Sequence, residues 1–93
     1  VMPWIPAAPP DGSAEWRRAR RLVAYEKVGG VIVGRGPALA TAARLNELQR
    51  MADVPLLVAA DLEWGAGTRL EGALVLPVNM AVAAAGDASF AAE

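Results

Sequence analysis

Two carboxylates and an arginine lie close together between residues 55 and 70. Asp61 directly follows five apolar residues, Glu63 comes two positions later, and Arg69 follows a glycine-bearing stretch at 65–67. A pair of carboxyl groups can cleave a glycosidic bond, at separations of about 5–5.5 Å for retention and about 6.5–9.5 Å for inversion of configuration. A guanidinium can hold substrate hydroxyl or carbonyl oxygens with its planar donors. The segment therefore predicts a site for catalysis or substrate recognition.

Each of these side chains also has a purely structural interpretation. Glu63 could pair with a neighbouring cation or face solvent, and Arg69 could form a surface salt bridge with Glu71. For Asp61 the functional interpretation is favoured, because an acid directly after an apolar strand has little structural purpose. We therefore predict a role in substrate recognition or catalysis for Asp61 and leave both interpretations open for Glu63 and Arg69.

Three further features have a functional and a structural explanation. Trp4 and Trp64 are predicted in loops near the site, where an indole face suits a sugar ring, although burial under neighbouring loops is the more frequent outcome. The glycines at 34 and 36 follow a strand, but the third glycine of a dinucleotide fingerprint and the phosphate-loop lysine are both missing. Turn formation explains them better. The four arginines within 17–21 are interpreted as a solvated helix face.

An alternating pattern of strands and helices must position these residues. The apolar run 56–60 is typical of a parallel strand that is covered on both faces, and a β-branched strand is predicted at 30–33. In such folds ligands bind at the carboxyl ends of the strands, which is where Asp61 lies. A first strand is predicted to end at residues 1–2. The order predicts an α/β fold with a parallel sheet and right-handed crossovers.

Two helices are predicted to connect these strands. Ser13 is the expected N-cap of the first helix, and Gly29 its left-handed stop. The second helix is expected to run from Pro37 to about Ala52. Arg44 is predicted to lie on its solvent-facing side with other charged residues.

Composition limits the classes of function. The chain has 9 basic and 10 acidic residues and a net charge of -1, so it has no general attraction to nucleic acid or anionic membrane. Cysteine and histidine are absent, which removes disulfides, thiolate metal sites and the commonest general base. No apolar run approaches the roughly 20 residues of a membrane span. We expect no cofactor, no metal, no nucleic-acid partner and no membrane span.

Length and apolar content predict a fragment. Apolar residues make up 55% of the 93 residues, whereas a domain of this size buries only about 60–65% of its unfolded surface. The excess suggests faces that contact missing partners. The sequence also begins without Met and ends at Glu93, within what is predicted to be the first turn of a helix. We therefore expect residues 1–93 to be part of one domain, truncated at both ends.

Several segments resemble, in order, the N-terminal domain of family 3 glycoside hydrolases. The similar segments span nearly the whole chain and comprise residues 28–33, 45–49, 54–61, 76–81 and 86–87. The most specific element is the pattern Asp-x-Glu-Gly-Gly-x-x-x-Arg, which falls on Asp61, Glu63, Gly65 and Arg69. Trp64 stands where the family usually has the first glycine, and this bulk would reshape the sugar pocket.

The resemblance implies the N-terminal portion of a (β/α)₈ TIM-type barrel. Such a barrel takes roughly 250 residues, so this chain supplies about three of its βα units. The implied activity is retaining hydrolysis of β-linked glycosides, including β-N-acetylglucosaminides, through a covalent glycosyl-enzyme. In the family, the residues matching Asp61 and Arg69 bind the sugar, and Glu63 and Trp64 are further candidates for this role. The nucleophile and the acid/base are expected beyond Glu93. The chain alone is then inactive and needs the remainder of the barrel to fold.

Two other functions remain open. One is a different α/β-barrel enzyme that uses Asp61 as a base or a metal ligand. The other is a non-catalytic α/β interaction module whose excess of apolar residues forms a binding face.

Overall fold

A computed structural model describes residues 1–91. Along the chain the elements are β1 (Trp4–Ile5), α1 (Ala14–Ala24), β2 (Gly30–Val33), β3 (Gly36–Pro37), α2 (Ala38–Met51), β4 (Leu57–Ala59), β5 (Leu70–Glu71) and α3 (Asn79–Ala84), with 3₁₀ turns at Ala66–Thr68 and Ala88–Ala91. Strands β1, β2 and β4 form a parallel sheet in that order, and β3 pairs in parallel with β5. The predicted α/β class and parallel sheet are confirmed. The first strand lies at Trp4–Ile5 instead of residues 1–2, so Trp4 is a strand residue and not a loop residue.

Both long helices cover the same face of the sheet. Alternate side chains of a strand point to opposite faces, and those of β1 and β2 that point toward the helices are buried. They form one cluster with the inner sides of α1 and α2, which comprises Ile5, Val31, Val33, Trp16, Ala19, Val23 and Leu48. Full burial of such a side chain contributes about 1.5–3 kcal/mol. This cluster therefore stabilises the arrangement of the sheet and the two helices.

The opposite face of the sheet is apolar and uncovered in the described part of the chain. Trp4 is in register with Ile32, and Ile32 with Ala59, so these three side chains share that face. Trp4 is 58% exposed and Leu57 is 65% exposed. The prediction that the run 56–60 is covered on both faces is therefore wrong for residues 1–91, because no described element packs on this side.

Helix α1 begins as predicted and ends earlier than predicted. The Ser13 hydroxyl accepts a hydrogen bond from the Trp16 N–H at 3.1 Å, which confirms the N-cap. The helix ends at Ala24, and the left-handed residue is Lys27, with φ of 55°, instead of Gly29. The N–H groups of Tyr25 and Glu26 already bond to the Arg21 carbonyl. Because these bonds close the helix end, the chain turns before it reaches the glycine.

Helix α2 carries an arginine that ties down the loop after β1. The Arg44 side chain is only 16% exposed and lies 4.6 Å from the centre of the Trp16 ring. Its guanidinium donates to the Pro9 carbonyl at 3.0 Å and contacts the carboxylates of Asp11 at 2.8 Å and Glu47 at 3.1 Å. The hydrogen bond to Asp11, together with the negative charges of Asp11 and Glu47, raises the pKa of Arg44 above its usual range. The prediction that Arg44 faces solvent is therefore wrong.

Candidate functional site

The candidate site lies at the carboxyl ends of the three parallel strands. Because β1, β2 and β4 run in the same direction, the loops that follow them leave from one edge of the sheet. These loops are residues 6–13, 34–35 and 60–69. All the predicted site residues lie in the last of them.

The structure brings Asp61 and Arg69 together. The Arg69 Nε–H donates to the Asp61 carbonyl at 3.0 Å, and Nη2 lies 3.8 Å from the carboxylate oxygen Oδ2. The Asp61 side chain is 73% exposed and that of Arg69 is 36% exposed. The alternative prediction of an Arg69–Glu71 salt bridge is wrong, because Glu71 pairs with Arg35 at 3.8 Å. The contact places one carboxylate and one guanidinium next to each other and within reach of solvent.

Local hydrogen bonds shape the loop between these two residues. The Gly65 N–H bonds to the Leu62 carbonyl, and the Thr68 hydroxyl donates back to the Gly65 carbonyl at 2.8 Å. Gly65 has a φ of 85°, which disfavours a side chain. A Cβ at Gly67 would lie 2.5 Å from the Leu74 carbonyl oxygen. The glycines therefore permit the turn that returns Arg69 to Asp61.

The short pair β3–β5 fixes the far end of this loop. The Gly36 N–H donates to the Arg69 carbonyl at 3.0 Å, and Gly36 is in register with Leu70. A Cβ at Gly36 would lie 2.7 Å from the Ala7 Cβ, and one at Gly34 would lie 2.5 Å from the Trp4 ring. Close packing therefore explains these two glycines, and Gly36 lies in β3 instead of in the predicted turn. Arg69 is consequently held at its backbone by β3 and at its side chain by Asp61.

A cleft of about 450 Å³ lies beside this contact. It is lined by Arg35, Glu63, Trp64, Gly67, Thr68, Arg69 and Val75. Trp64 is 59% exposed, so its indole presents an apolar surface beside the polar groups. Asp61 does not line the cleft, but its exposed carboxylate lies beside Arg69, which does. The structure therefore places Arg69, Glu63 and Trp64 in one cleft, with Asp61 at its margin.

Sequence reasoning missed Arg35 as a site residue. Arg35 lies between the two glycines that were assigned to a turn, and its side chain lines the same cleft as Arg69. The sequence feature that could have indicated this role is its position in the loop that follows the carboxyl end of β2. Strand β2 is the neighbour of β4 in the sheet. The loops that follow two neighbouring parallel strands lie next to each other at the same edge of the sheet.

The four arginines of α1 lie outside the site, on the solvent-exposed side of the helix as predicted. Arg21 pairs with Glu26 at 3.2 Å, Arg18 donates to the Trp4 carbonyl at 3.3 Å, and Arg17 donates to the Gly12 carbonyl. These contacts join the helix to its flanking segments and to β1.

Two other structural features are absent from residues 1–91. No group of three or more Asp or Glu side chains in this range is arranged to hold a metal ion. None of its helices has the length and apolar character needed to cross a membrane.

Comparison with known proteins relates the chain to a glycoside hydrolase. No protein-family model matches the sequence. A β-N-acetylglucosaminidase/β-glucosidase of Cellulomonas fimi is 44% identical over 59 residues, which are 63% of this chain. The matched part is 10% of that enzyme's length. The similarity supports a relation to glycoside hydrolases.

Proposed function

We propose that this chain forms part of the sugar-binding cleft of a retaining glycoside hydrolase that cleaves β-linked glycosides, including β-N-acetylglucosaminides. The observation that carries the proposal is the contact between Arg69 and Asp61 at the carboxyl end of β4. The similarity to a β-N-acetylglucosaminidase/β-glucosidase supports the substrate class.

In this proposal Asp61 and Arg69 bind the sugar and do not take part in bond cleavage. The exposed Asp61 carboxylate accepts hydrogen bonds from two sugar hydroxyls, which are charge-assisted and therefore strong. Arg69 uses Nε to hold the Asp61 carbonyl, which fixes the plane of the guanidinium. Its terminal N–H groups can then donate to a hydroxyl or to the carbonyl of an N-acetyl group.

Trp64 and Glu63 complete the wall of the cleft. The exposed indole of Trp64 suits the C–H face of a sugar ring, and Glu63 supplies a second acceptor in the same cleft. An apolar face with a few converging polar groups is the usual composition of a small-molecule site. We propose that the nucleophile and the acid/base belong to the protein beyond Glu93.

We further propose that residues 1–93 are part of a (β/α)₈ barrel of the family 3 type. The three parallel strands lie in the sheet in the order in which they occur in the chain, and both long helices lie on one face. Open α/β sheets carry helices on both faces, whereas a barrel keeps its helices outside and fills its interior with side chains. Trp4 and Leu57 on the uncovered face would then point into the barrel. This arrangement requires the remaining strands for stable folding.

The proposal is tested on the protein expressed from its complete reading frame. We expect release of 4-nitrophenol from the β-N-acetylglucosaminide or the β-glucoside, and no loss of activity in a chelator. A 2-deoxy-2-fluoro or 5-fluoro glycoside should trap a covalent adduct, which peptide mass spectrometry should locate outside residues 1–93.

Three outcomes would contradict the proposal in different ways. Failure to hydrolyse any β-glycoside would overturn the function. Inactivation by a chelator would favour Asp61 as a metal ligand in a different α/β-barrel enzyme. An adduct on Asp61 itself would make this residue the nucleophile and overturn its assignment to sugar binding.

A further inference from the structure

Four exposed arginines form a cationic surface on α1, the arginine face, which comprises Arg17, Arg18, Arg20 and Arg21. Like charges three or four positions apart on a helix destabilise it, and such spacings recur within this face. The Arg21 guanidinium pairs with the Glu26 carboxylate at 3.2 Å. Arg17 and Arg18 donate to neutral carbonyl oxygens, and Arg20 forms no salt bridge within residues 1–91. Most of this positive charge therefore has no carboxylate partner in the described part of the chain.

Two clefts lie along the arginine face. The larger, of about 530 Å³, is lined by Arg17, Arg18, Arg21, Leu22 and Glu26. The smaller, of about 290 Å³, is lined by Arg17, Arg20, Arg21, Ala24, Tyr25 and Met51. Tyr25 is 82% exposed, so the smaller cleft combines guanidinium groups with accessible apolar surface.

We infer that the arginine face binds an acidic protein segment. Carboxylates of the segment contact Arg17 and Arg21, and an apolar side chain beside them occupies the smaller cleft. Planar guanidinium groups bind carboxylates through two parallel hydrogen bonds. Tyr, Met and Arg are enriched at protein–protein interfaces, and all three line the smaller cleft. The inference does not depend on the proposed function, because the arginine face lies outside the candidate site.

Burial and charge favour an acidic protein segment over other polyanions. An amphipathic helix binds a membrane through its apolar side, but that side of α1, with Trp16, Ala19 and Val23, is buried against the sheet. A nucleic acid would extend beyond the arginine face. Four of the 9 basic residues are these arginines, which leaves five against 10 acidic residues in the rest of the sequence. That remainder repels a phosphate backbone, whereas a short acidic segment covers only the cationic surface.

The test measures peptide binding to the protein from its complete reading frame by fluorescence anisotropy. The probe is a fluorescein-labelled heptapeptide with three glutamates on each side of a central leucine. One control peptide has glutamine in place of every glutamate, and another has glycine in place of the leucine. The variant is Arg17→Gln combined with Arg21→Gln. Arg50→Gln is the matched control, because Arg50 is exposed on α2 and lines neither cleft.

We expect the double variant to raise the Kd of the glutamate peptide about tenfold, the effect of one lost hydrogen bond to a charged group. Its hydrolysis of glycosides should be unchanged, and Arg50→Gln should leave the Kd unchanged. Tyr25→Ala should reduce the preference for the leucine peptide over the glycine peptide, because it removes part of the wall of the smaller cleft.

Equal Kd values for the unaltered protein and the double variant would overturn the inference, as would the absence of saturable binding or equal binding of the glutamine peptide. Tighter binding of an oligothymidylate or of phosphatidylserine vesicles than of the glutamate peptide would also overturn it, in favour of a nucleic acid or a membrane. An unchanged preference for leucine in Tyr25→Ala would contradict the position of the apolar side chain. None of these results affects the proposed function, which is tested by hydrolysis.

Discussion

The chain divides at Leu56 into a packed region and an exposed region. Within residues 1–89, every buried apolar side chain lies between Ile5 and Leu56, and from Leu57 to Ser89 no side chain is buried. The candidate recognition residues, in contrast, lie mainly in the exposed region. Among the residues that line the cleft beside Arg69, Arg35, in the loop after β2, lies in the packed region.

The packed region provides stability, and the exposed region carries most of the residues proposed for sugar recognition. The first region holds its shape through apolar packing between the sheet and two helices. The second contacts the first through β4, through the Gly36–Arg69 hydrogen bond and through the Arg35–Glu71 pair. Loops on a rigid scaffold commonly carry function for this reason. Substitutions in the first region should therefore change stability, and those in the second should change ligand binding.

The largest effect on stability is expected at Leu48. This side chain is fully buried between α2 and the sheet, so Leu48→Ala should lower the free energy of unfolding by about 2–5 kcal/mol through lost burial and a cavity. The measurement, here and for the other stability predictions, is urea denaturation of the protein from its complete reading frame, followed by circular dichroism. Leu39→Ala is the control, because Leu39 lies on the same helix and is 88% exposed. Equal effects at the two positions would contradict the position of the core.

A smaller loss of stability is expected at Gln49, which joins α2 to the start of β4. Its side-chain amide donates to the Leu56 carbonyl and accepts from the Leu56 N–H, both at 2.9 Å. Because Leu56 is buried, Gln49→Ala leaves two backbone groups without these partners, at a cost of about 1–3 kcal/mol. Asn46→Ala, at an exposed position of the same helix, is the control. An unchanged unfolding midpoint for Gln49→Ala would show that β4 is held in another way.

A substitution at Arg69 tests whether the exposed region contributes to ligand binding and not to stability. Arg69→Lys keeps the charge but removes the planar donors that hold the Asp61 carbonyl. We expect kcat/KM on a β-glycoside to fall about tenfold, equivalent to roughly 1.4 kcal/mol, with the melting temperature unchanged. Activity and melting temperature are measured on the same preparations. A large drop in melting temperature would mean that Arg69 supports the fold and not the ligand.

The smallest effect is expected for the ion pair between Lys27 and Asp53. The pair is short, at 2.6 Å, but both side chains are more than half exposed. Exposed pairs contribute about 0–1 kcal/mol, so Lys27→Ala should shift stability only slightly, and less in high salt. Urea denaturation at two salt concentrations measures this. A loss of unfolding free energy as large as that of Leu48→Ala would contradict the proposed difference between packed and exposed contacts.

Local signals in the sequence predicted much of the packed region. The Ser13 cap and the β-branched run at 30–33 act over a few residues, and both are confirmed. Contacts between distant residues were not predictable in this way. Arg44 was placed in solvent because its partners Pro9 and Asp11 are more than thirty positions away. Trp4 was placed in a loop because flanking prolines hid a two-residue strand.

In the site, spacing alone left open whether Arg69 returns toward Asp61 or forms a salt bridge with Glu71. Asp61 and Arg69 are eight positions apart with glycines between them, and the structure joins them. The sequence did not show that the guanidinium binds the Asp61 backbone, nor that Arg35 lines the same cleft. Both depend on the register between β3 and β5, which a single sequence does not reveal.

The most direct test of the proposed role of this chain is the kinetics of Asp61→Asn in the protein from its complete reading frame. With 4-nitrophenyl N-acetyl-β-glucosaminide we expect kcat/KM to fall roughly 100-fold, because charge-assisted hydrogen bonds to the sugar are lost. Asp53→Asn, an exposed aspartate before β4, should retain full activity. Equal activity of the two variants would contradict the assignment of Asp61 to sugar recognition.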